Sequence, residues 1–243
     1  MSAAQPTEER KFTIGTKKLE KDPQGIYVVI DGLSGCGKDT AIMGFASYLH
    51  REKQAEKGVL LVQEPYGYNS FRAKLKAIRE DTTDTNPTSR AKREVDVFVQ
   101  DRWQHMADVV YPALNRGNLV LQNRGKYATI ANQGARGYDP RKIADLHHDL
   151  LKDGTTGSPL AKADLVFILQ VNPETAHQRL LRSGRILSDS EKDLNLQQKI
   201  ADLYATMPEF FPDEKIIFLN AEQSIDQVVK GMESAWQNLK KKQ

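Results

Sequence analysis

The chain has 243 residues, 39% hydrophobic and 28% charged, with a formal net charge of +3. That is long enough to bury a substantial core, and the charge is too small for a nucleic-acid partner, the terminal "LKKKQ" being a solvated tail. A single cysteine, Cys36, excludes an internal disulfide framework; with no span-length apolar stretch and no apolar leader, the expected location is cytoplasmic, away from any membrane.

In chain order, residues 1–25 form a polar extension without an assigned role, and the domain proper is expected over 26–243. It opens on "IYVVI" (26–30), a continuous apolar and β-branched run that predicts a strand buried on both faces. Directly after it comes "GLSGCGK", Gly32, Leu33, Ser34, Gly35, Cys36, Gly37 and Lys38, followed by Asp39 and Thr40. These residues fit the first seven positions of G-x-x-x-x-G-K-[ST], placed between a strand and a helix where the phosphate-cradling mechanism needs them. Glycines let successive backbone N–H groups face an anion, and the helix N-terminus favours negative charge. The hydroxyl that should follow the lysine is Asp39, with Thr40 about 100° further round the helix. A carboxylate is a hard oxygen donor, compatible with direct binding of Mg²⁺.

The helix after the cradle is marked by Ile42, Phe45, Ala46 and Leu49, and a second strand by "VLLVQ" (59–63). Residues 81–90, "DTTDTNPTSR", read as a polar loop with helix-start signals. The following helix carries Val97, Trp103, Val110 and Leu114, and it places Phe98 and Arg102 on one face at i and i+4. A third strand, "NLVLQ" (118–122), runs into Asn123 and Arg124 at the mouth of the sheet. His147 and His148 read as part of a surface helix, since no Cys/His partners stand at metal-ligand spacing. A loop at 153–161 precedes the fourth strand, "DLVFILQV" (164–171); "RLLRSGR" and the fifth strand, "KIIFL" (215–219), complete the pattern. Strands alternating with helices predict a three-layer, doubly wound parallel five-stranded α/β sheet of P-loop NTPase type, with functional loops at the strands' carboxyl ends.

With these motifs placed, the chain resembles the thymidylate kinase family from about Tyr27 to Trp236. "QEPYG" (63–67) is similar to its R-E-P-G-G loop, "VFVQDRWQHMADVVYPALNRGNLVL" (97–121) to the helix leading into its third strand, "NRGKYATIANQGARG" (123–137) to its D-R-Y…S…A-Y-Q-G stretch, and "ADLVFILQVNPETAHQRLLRSGR" (163–185) to the segment ending in its arginine-rich lid. The resemblance implies an ATP-dependent nucleoside monophosphate kinase with Mg²⁺, converting dTMP to dTDP, and a homodimer. It assigns Phe98 and Arg102 to the acceptor base, Glu64, Arg72 and Gln133 to the acceptor, Arg124 to the phosphates of donor and acceptor, and Lys38 to the donor. Asp39 is the implied metal ligand. Because the cradle contains no arginine, catalysis falls to Arg182 and Arg185 in a lid near 179–190.

The departures cluster at the acceptor. Ser34 stands for the family's acidic residue in the P-loop, Asn123 for the aspartate of D-R, Ala128 for a serine or asparagine, and Asn132 for the tyrosine of A-Y-Q-G. These leave two alternatives open: a kinase for a different (deoxy)nucleoside monophosphate, or a homologue that binds nucleotide without transferring phosphate. A GTP switch is disfavoured because "FLNAEQS" lacks N-K-x-D.

Overall fold

The five β-branched runs do become five strands, and their ends converge on the glycine loop. The computed structural model describes residues 24–67, 69–152 and 162–241, so most of the N-terminal extension and the loop at 153–161 lie outside the described residues. The elements are β1 (Ile26–Gly32), α1 (Lys38–Arg51), β2 (Val59–Gln63), α2 (Asn69–Glu80), α3 (Pro87–His105), a π-helical turn at Met106–Val110, α4 (Tyr111–Asn115), β3 (Leu119–Asn123), α5 (Lys126–Ala135) and α6 (Pro140–Lys152). They continue with β4 (Leu165–Gln170), α7 (Pro173–Arg182), α8 (Asp189–Lys192), α9 (Leu194–Ala205), α10 (Met207–Phe210), β5 (Ile216–Asn220) and α11 (Ile225–Lys240).

All strand pairs are parallel, in the order β2-β3-β1-β4-β5. The chain leaves β1 in one direction and crosses to β4 and β5 in the other. Right-handed crossovers therefore place α1 on one face and the helices that follow β3 and β4 on the opposite one, while α11 returns to pack on α1. β1, β3 and β4 are buried throughout their lengths except at or near their ends, as their continuous apolar runs require. The same expectation fails for β2 and β5, which are only partly buried, because as edge strands each has a neighbour on one side only. Phe45 anchors the α1 side, meeting Phe167 and Trp236 edge-on at centroid distances of 5.9 and 6.2 Å.

β1 runs two residues beyond its apolar stretch because Asp31 and Gly32 still pair with Ile168 and Leu169. Asp31 is fully buried, and its carboxylate accepts four hydrogen bonds: from Gly32 N (2.9 Å), Tyr204 Oη (2.8 Å), Gly125 N (3.0 Å) and Ala128 N (3.0 Å). Two of these donors belong to the first turn of α5, which has no cap from its own Gly125. Asp31 thus caps, from another strand, a helix that starts 95 residues later. The polar loop at 81–90 behaves as its sequence indicates: Asn86 caps α3, accepting from Thr88 N and Ser89 N, and Pro87 takes the first helical position.

Asp31→Ala leaves four donors without their acceptor, and the expected loss is about 3–5 kcal/mol of unfolding free energy. Urea titration measures it; a loss under about 1 kcal/mol would show the donors satisfied in another way.

Candidate phosphate and acceptor site

The glycine loop curls between β1 and α1 because its backbone enters regions closed to other residues. Gly32 has φ +140°, and a Cβ there would stand 2.5 Å from Leu169 O; at Gly35, with φ +82°, it would stand 2.4 Å from Ala176 O. The loop is therefore pressed against β4 and α7 and opens towards the N-terminus of α1, where Gly37 supplies no side-chain cap. Lys38 does not extend from this cradle. Its Nζ turns back to donate to Gly32 O (2.8 Å) and Leu33 O (2.7 Å) and lies 3.5 Å from Cys36 Sγ, and its burial lowers its pKa below the ordinary lysine value. Asp39 is exposed on the first turn of α1, and Asn123 Nδ2 donates to its Oδ1 at 2.6 Å. Thr40 is also exposed, on the neighbouring position.

Arg124 follows β3 directly with φ +66°, a left-handed conformation that costs a non-glycine residue about 1–3 kcal/mol. Its backbone is held on both sides: its N–H donates to Ile30 O (2.9 Å), and its carbonyl accepts from Gln122 Nε2 (2.9 Å). The result is that the guanidinium leaves the strand end towards the cradle and donates to Ser34 Oγ (3.2 Å).

A cavity of about 620 Å³ opens beside Arg124, lined among others by Glu64, Phe98, Arg102 and Gln133. Phe98 and Arg102 do share one face of α3 there, but Arg102 is more committed than a free base reader. It donates from Nε to Glu64 Oε2 (2.8 Å) and from Nη2 to Thr129 Oγ1 (3.1 Å), and its Nη1 lies 2.5 Å from His147 Nε2. The helix that carries His147 lies at the surface as expected, with Arg141, Lys142 and Asp145 exposed, but His147 is on its buried face, 1% exposed, with Nδ1 2.7 Å from Ile143 O; the side chain of His148 lies outside the described residues. A histidine at i+4 from Ile143 on an amphipathic helix carries no local sign of the arginine it meets 45 residues away. Burial alone would raise the Glu64 pKa, but the Arg102 guanidinium, with His105, holds it below the ordinary glutamate value. Asp101, on the same helix, accepts from Tyr66 N (2.6 Å) and Gly67 N (2.8 Å) and so fixes the loop that carries Glu64.

Gln133 is buried, and its Nε2 donates to Glu94 Oε2 (3.0 Å). Glu94, buried one turn before Phe98, also takes Arg79 Nε (2.8 Å) and Arg136 Nη1 (2.9 Å). Asp31, Glu94 and the contact of His147 with Arg102 are what motif reading missed; of these only Glu94 had a usable signal, its i−4 spacing from Phe98. Arg72 is not brought to the cavity: it is exposed on α2, with its guanidinium against Gly67. Arg182 and Arg185 are likewise exposed and line none of the cavities described here. Arg185 pairs with Glu191, and Glu191 reaches the P-loop side, lining a cavity of about 80 Å³ with Ser34 and Arg124. Ser188, Asp189 and Ser190, next to them in sequence, line the larger cavity.

Residues 30–232 match the family model described as thymidylate kinase. The chain is 30% identical over 208 residues to a probable thymidylate kinase of Thermococcus gammatolerans, covering 84% of this chain and 92% of the relative. It is 30% identical over 211 residues to a thymidylate kinase of Desulfotalea psychrophila (84% and 90% covered), and 27% identical over 210 residues to one of Bacillus cereus strain Q1 (85% and 94%).

The depressed Glu64 pKa has a sign that can be measured. Its contribution to stability is complete above the ordinary glutamate value of 4.5 and is lost as pH falls through the lower folded value. Glu64→Gln leaves Arg102 buried without its charge partner and costs about 3–5 kcal/mol at neutral pH. Denaturant titrations from pH 7 down to about pH 3 are expected to show the gap between parent and variant narrowing only below pH 4.5. A gap constant across that range would remove the ion pair from the account.

Proposed function

The chain belongs to the thymidylate kinase family, and from that premise we propose that this site transfers the γ-phosphoryl group of ATP to dTMP, giving ADP and dTDP. One juxtaposition in the structure supports the reading above all: Arg124 lines the acceptor cavity and also donates to Ser34 in the cradle, so a single guanidinium spans the two phosphate positions. A planar donor with several N–H groups suits that bridging task.

In this reading the acceptor's phosphate oxygen forms the new bond to the γ-phosphorus while the bond from that phosphorus to the β–γ bridging oxygen breaks, and ADP leaves. No side-chain nucleophile is needed; the protein positions the two nucleotides and offsets their charge. Lys38 exchanges its two carbonyl partners for donor phosphate oxygens, which are stronger acceptors for an ammonium group. Backbone N–H groups of residues 33–40 that the loop does not itself use take the remaining phosphate oxygens, those of Gly32 and Cys36 being bonded to Asp31 and Leu33. Phe98 stacks on the acceptor base, Arg102 uses the one N–H not engaged by its three partners, and Gln133 faces the base edge with Glu64 holding the arrangement from beneath. Arg182 and Arg185 reach the transferring group on lid closure, which also excludes water. The exposed carboxylate of Asp39, at the helix N-terminus beside the cradle, fits a hard cation such as Mg²⁺, and the bound ion supplies neutralisation of the donor phosphates. A homodimer and a cytoplasmic location belong to the same reading.

ADP formation from ATP and Mg²⁺ is to be measured with a panel of ribo- and deoxynucleoside monophosphates. Turnover selective for dTMP is expected, and Lys38→Ala should lower it by at least about 100-fold. Preference for another monophosphate would reassign the acceptor, and ATP binding without turnover would leave a binding protein. Of the lid arginines, Arg182→Ala and Arg185→Ala are expected to lower kcat with little change in KM for ATP, at least one of them by about 100-fold or more. Two variants with parental kcat would place the catalytic cation elsewhere.

A further inference from the structure

P-loop sites pair a hydroxyl after the cradle lysine with a carboxylate from a strand end, and the two share in holding the donor's cation. Here Asp39 follows Lys38, and the neighbouring strand β3 ends in Asn123. Taken one at a time, each position looks like damage to the site. The fold brings them into contact. β3 lies beside β1 with Asn123 level with Ile30, so its end faces the first turn of the helix that β1 feeds. Asn123 Nδ2 donates to Asp39 Oδ1 at 2.6 Å, while Asp39 Oδ2 has no partner among the described residues. Asn123 Oδ1 is buried and unpaired, so the amide's single bond to Asp39 is what its side chain contributes.

We infer that Asp39 and Asn123 are an exchanged pair: of these two positions the carboxylate stands on the helix rather than at the strand end, and Asn123 is the positioning residue that holds one oxygen of Asp39 and leaves the other for the cation accompanying the donor phosphates. The exchange has a physical logic that binds the two positions together. An aspartate at 123 would face Asp39 at hydrogen-bonding distance, where two carboxylates do not both ionise readily, whereas an amide faces it without repulsion and donates. Conversely, a hydroxyl at 39 opposite Asn123 leaves neither of the two positions with a carboxylate. Restoring the usual residue at position 39 alone therefore harms this site, and restoring both together repairs it.

The inference rests on the reading that the cradle binds ATP with a divalent cation, and its test separates the two. Binding of a fluorescent ATP analogue to the full chain is followed while Mn²⁺ is raised, with bound Mn²⁺ counted by electron paramagnetic resonance and folding checked by thermal unfolding. Asp39→Thr is expected to raise the Mn²⁺ concentration at half-saturation by about 10-fold or more, and Asp39→Thr combined with Asn123→Asp to return it to within about threefold of the parent. Asn123→Ala, which keeps the carboxylate but frees it, should fall between, at roughly 3- to 10-fold. A parental Mn²⁺ dependence in Asp39→Thr, or a double variant no better than Asp39→Thr, overturns the exchange while leaving nucleotide binding intact. A parent chain that binds no analogue at any Mn²⁺ concentration overturns both.

Discussion

The carboxylate of Asp31 is the point on which the site's geometry converges. It is completely buried at the end of β1, and its two oxygens collect donors from the residue that begins the glycine loop, from the first turn of α5, and from Tyr204 on α9. A group so placed fixes three segments relative to one another with one side chain. The cradle starts one residue later, and the α5 cap lies immediately beyond Arg124. Because Arg124 sits in a left-handed conformation that its own sequence does not favour, it needs such a fixed frame on both sides; Ile30 O and Gln122 Nε2 complete it. The guanidinium that lines the larger cavity and donates to Ser34 thereby leaves a backbone held on both sides.

A second buried electrostatic system supports the acceptor side. Glu64, Arg102, Thr129 and His147 lie under the cavity as one connected network, and Glu94 gathers Arg79, Gln133 and Arg136 next to it. Burying so many polar groups is unfavourable unless they find partners; most do here, while Glu64 Oε1 and Gln133 Oε1 are buried without a hydrogen-bond partner. The price falls on freedom of action: Arg102 retains one N–H for a ligand, and Gln133 has its amide direction set by Glu94. In the proposed function, selectivity would rest on side chains already held in place before an acceptor arrives.

On the phosphate side the arrangement is looser. Lys38 occupies the cradle's own carbonyls, Asp39 is exposed and bonded by one oxygen, and Arg182 and Arg185 are exposed, with Arg185 on Glu191. Of these groups Lys38 alone is buried, and its burial lowers its affinity for a proton. A buried, interconnected side and a more exposed side thus meet at Arg124.

The order of elements, the parallel sheet, the glycine cradle and the stripe of Phe98 and Arg102 were all legible in the sequence, because each depends on spacing within a few residues: apolar runs of strand length, a glycine pattern between strand and helix, one face of one helix. Tertiary structure alone decided the rest. That Asn123 meets Asp39, that Asp31 caps α5, that His147 lies beneath Arg102 and that Arg72 points away from the cavity are facts about residues tens of positions apart, which meet or separate according to strand order and helix placement. Two substitutions that read separately as losses become one contact once β3 is laid beside β1. Local pattern carries the periodicity of hydrogen-bonded elements, but a side chain's partner is chosen by the packing of the whole chain, and no window of sequence contains it.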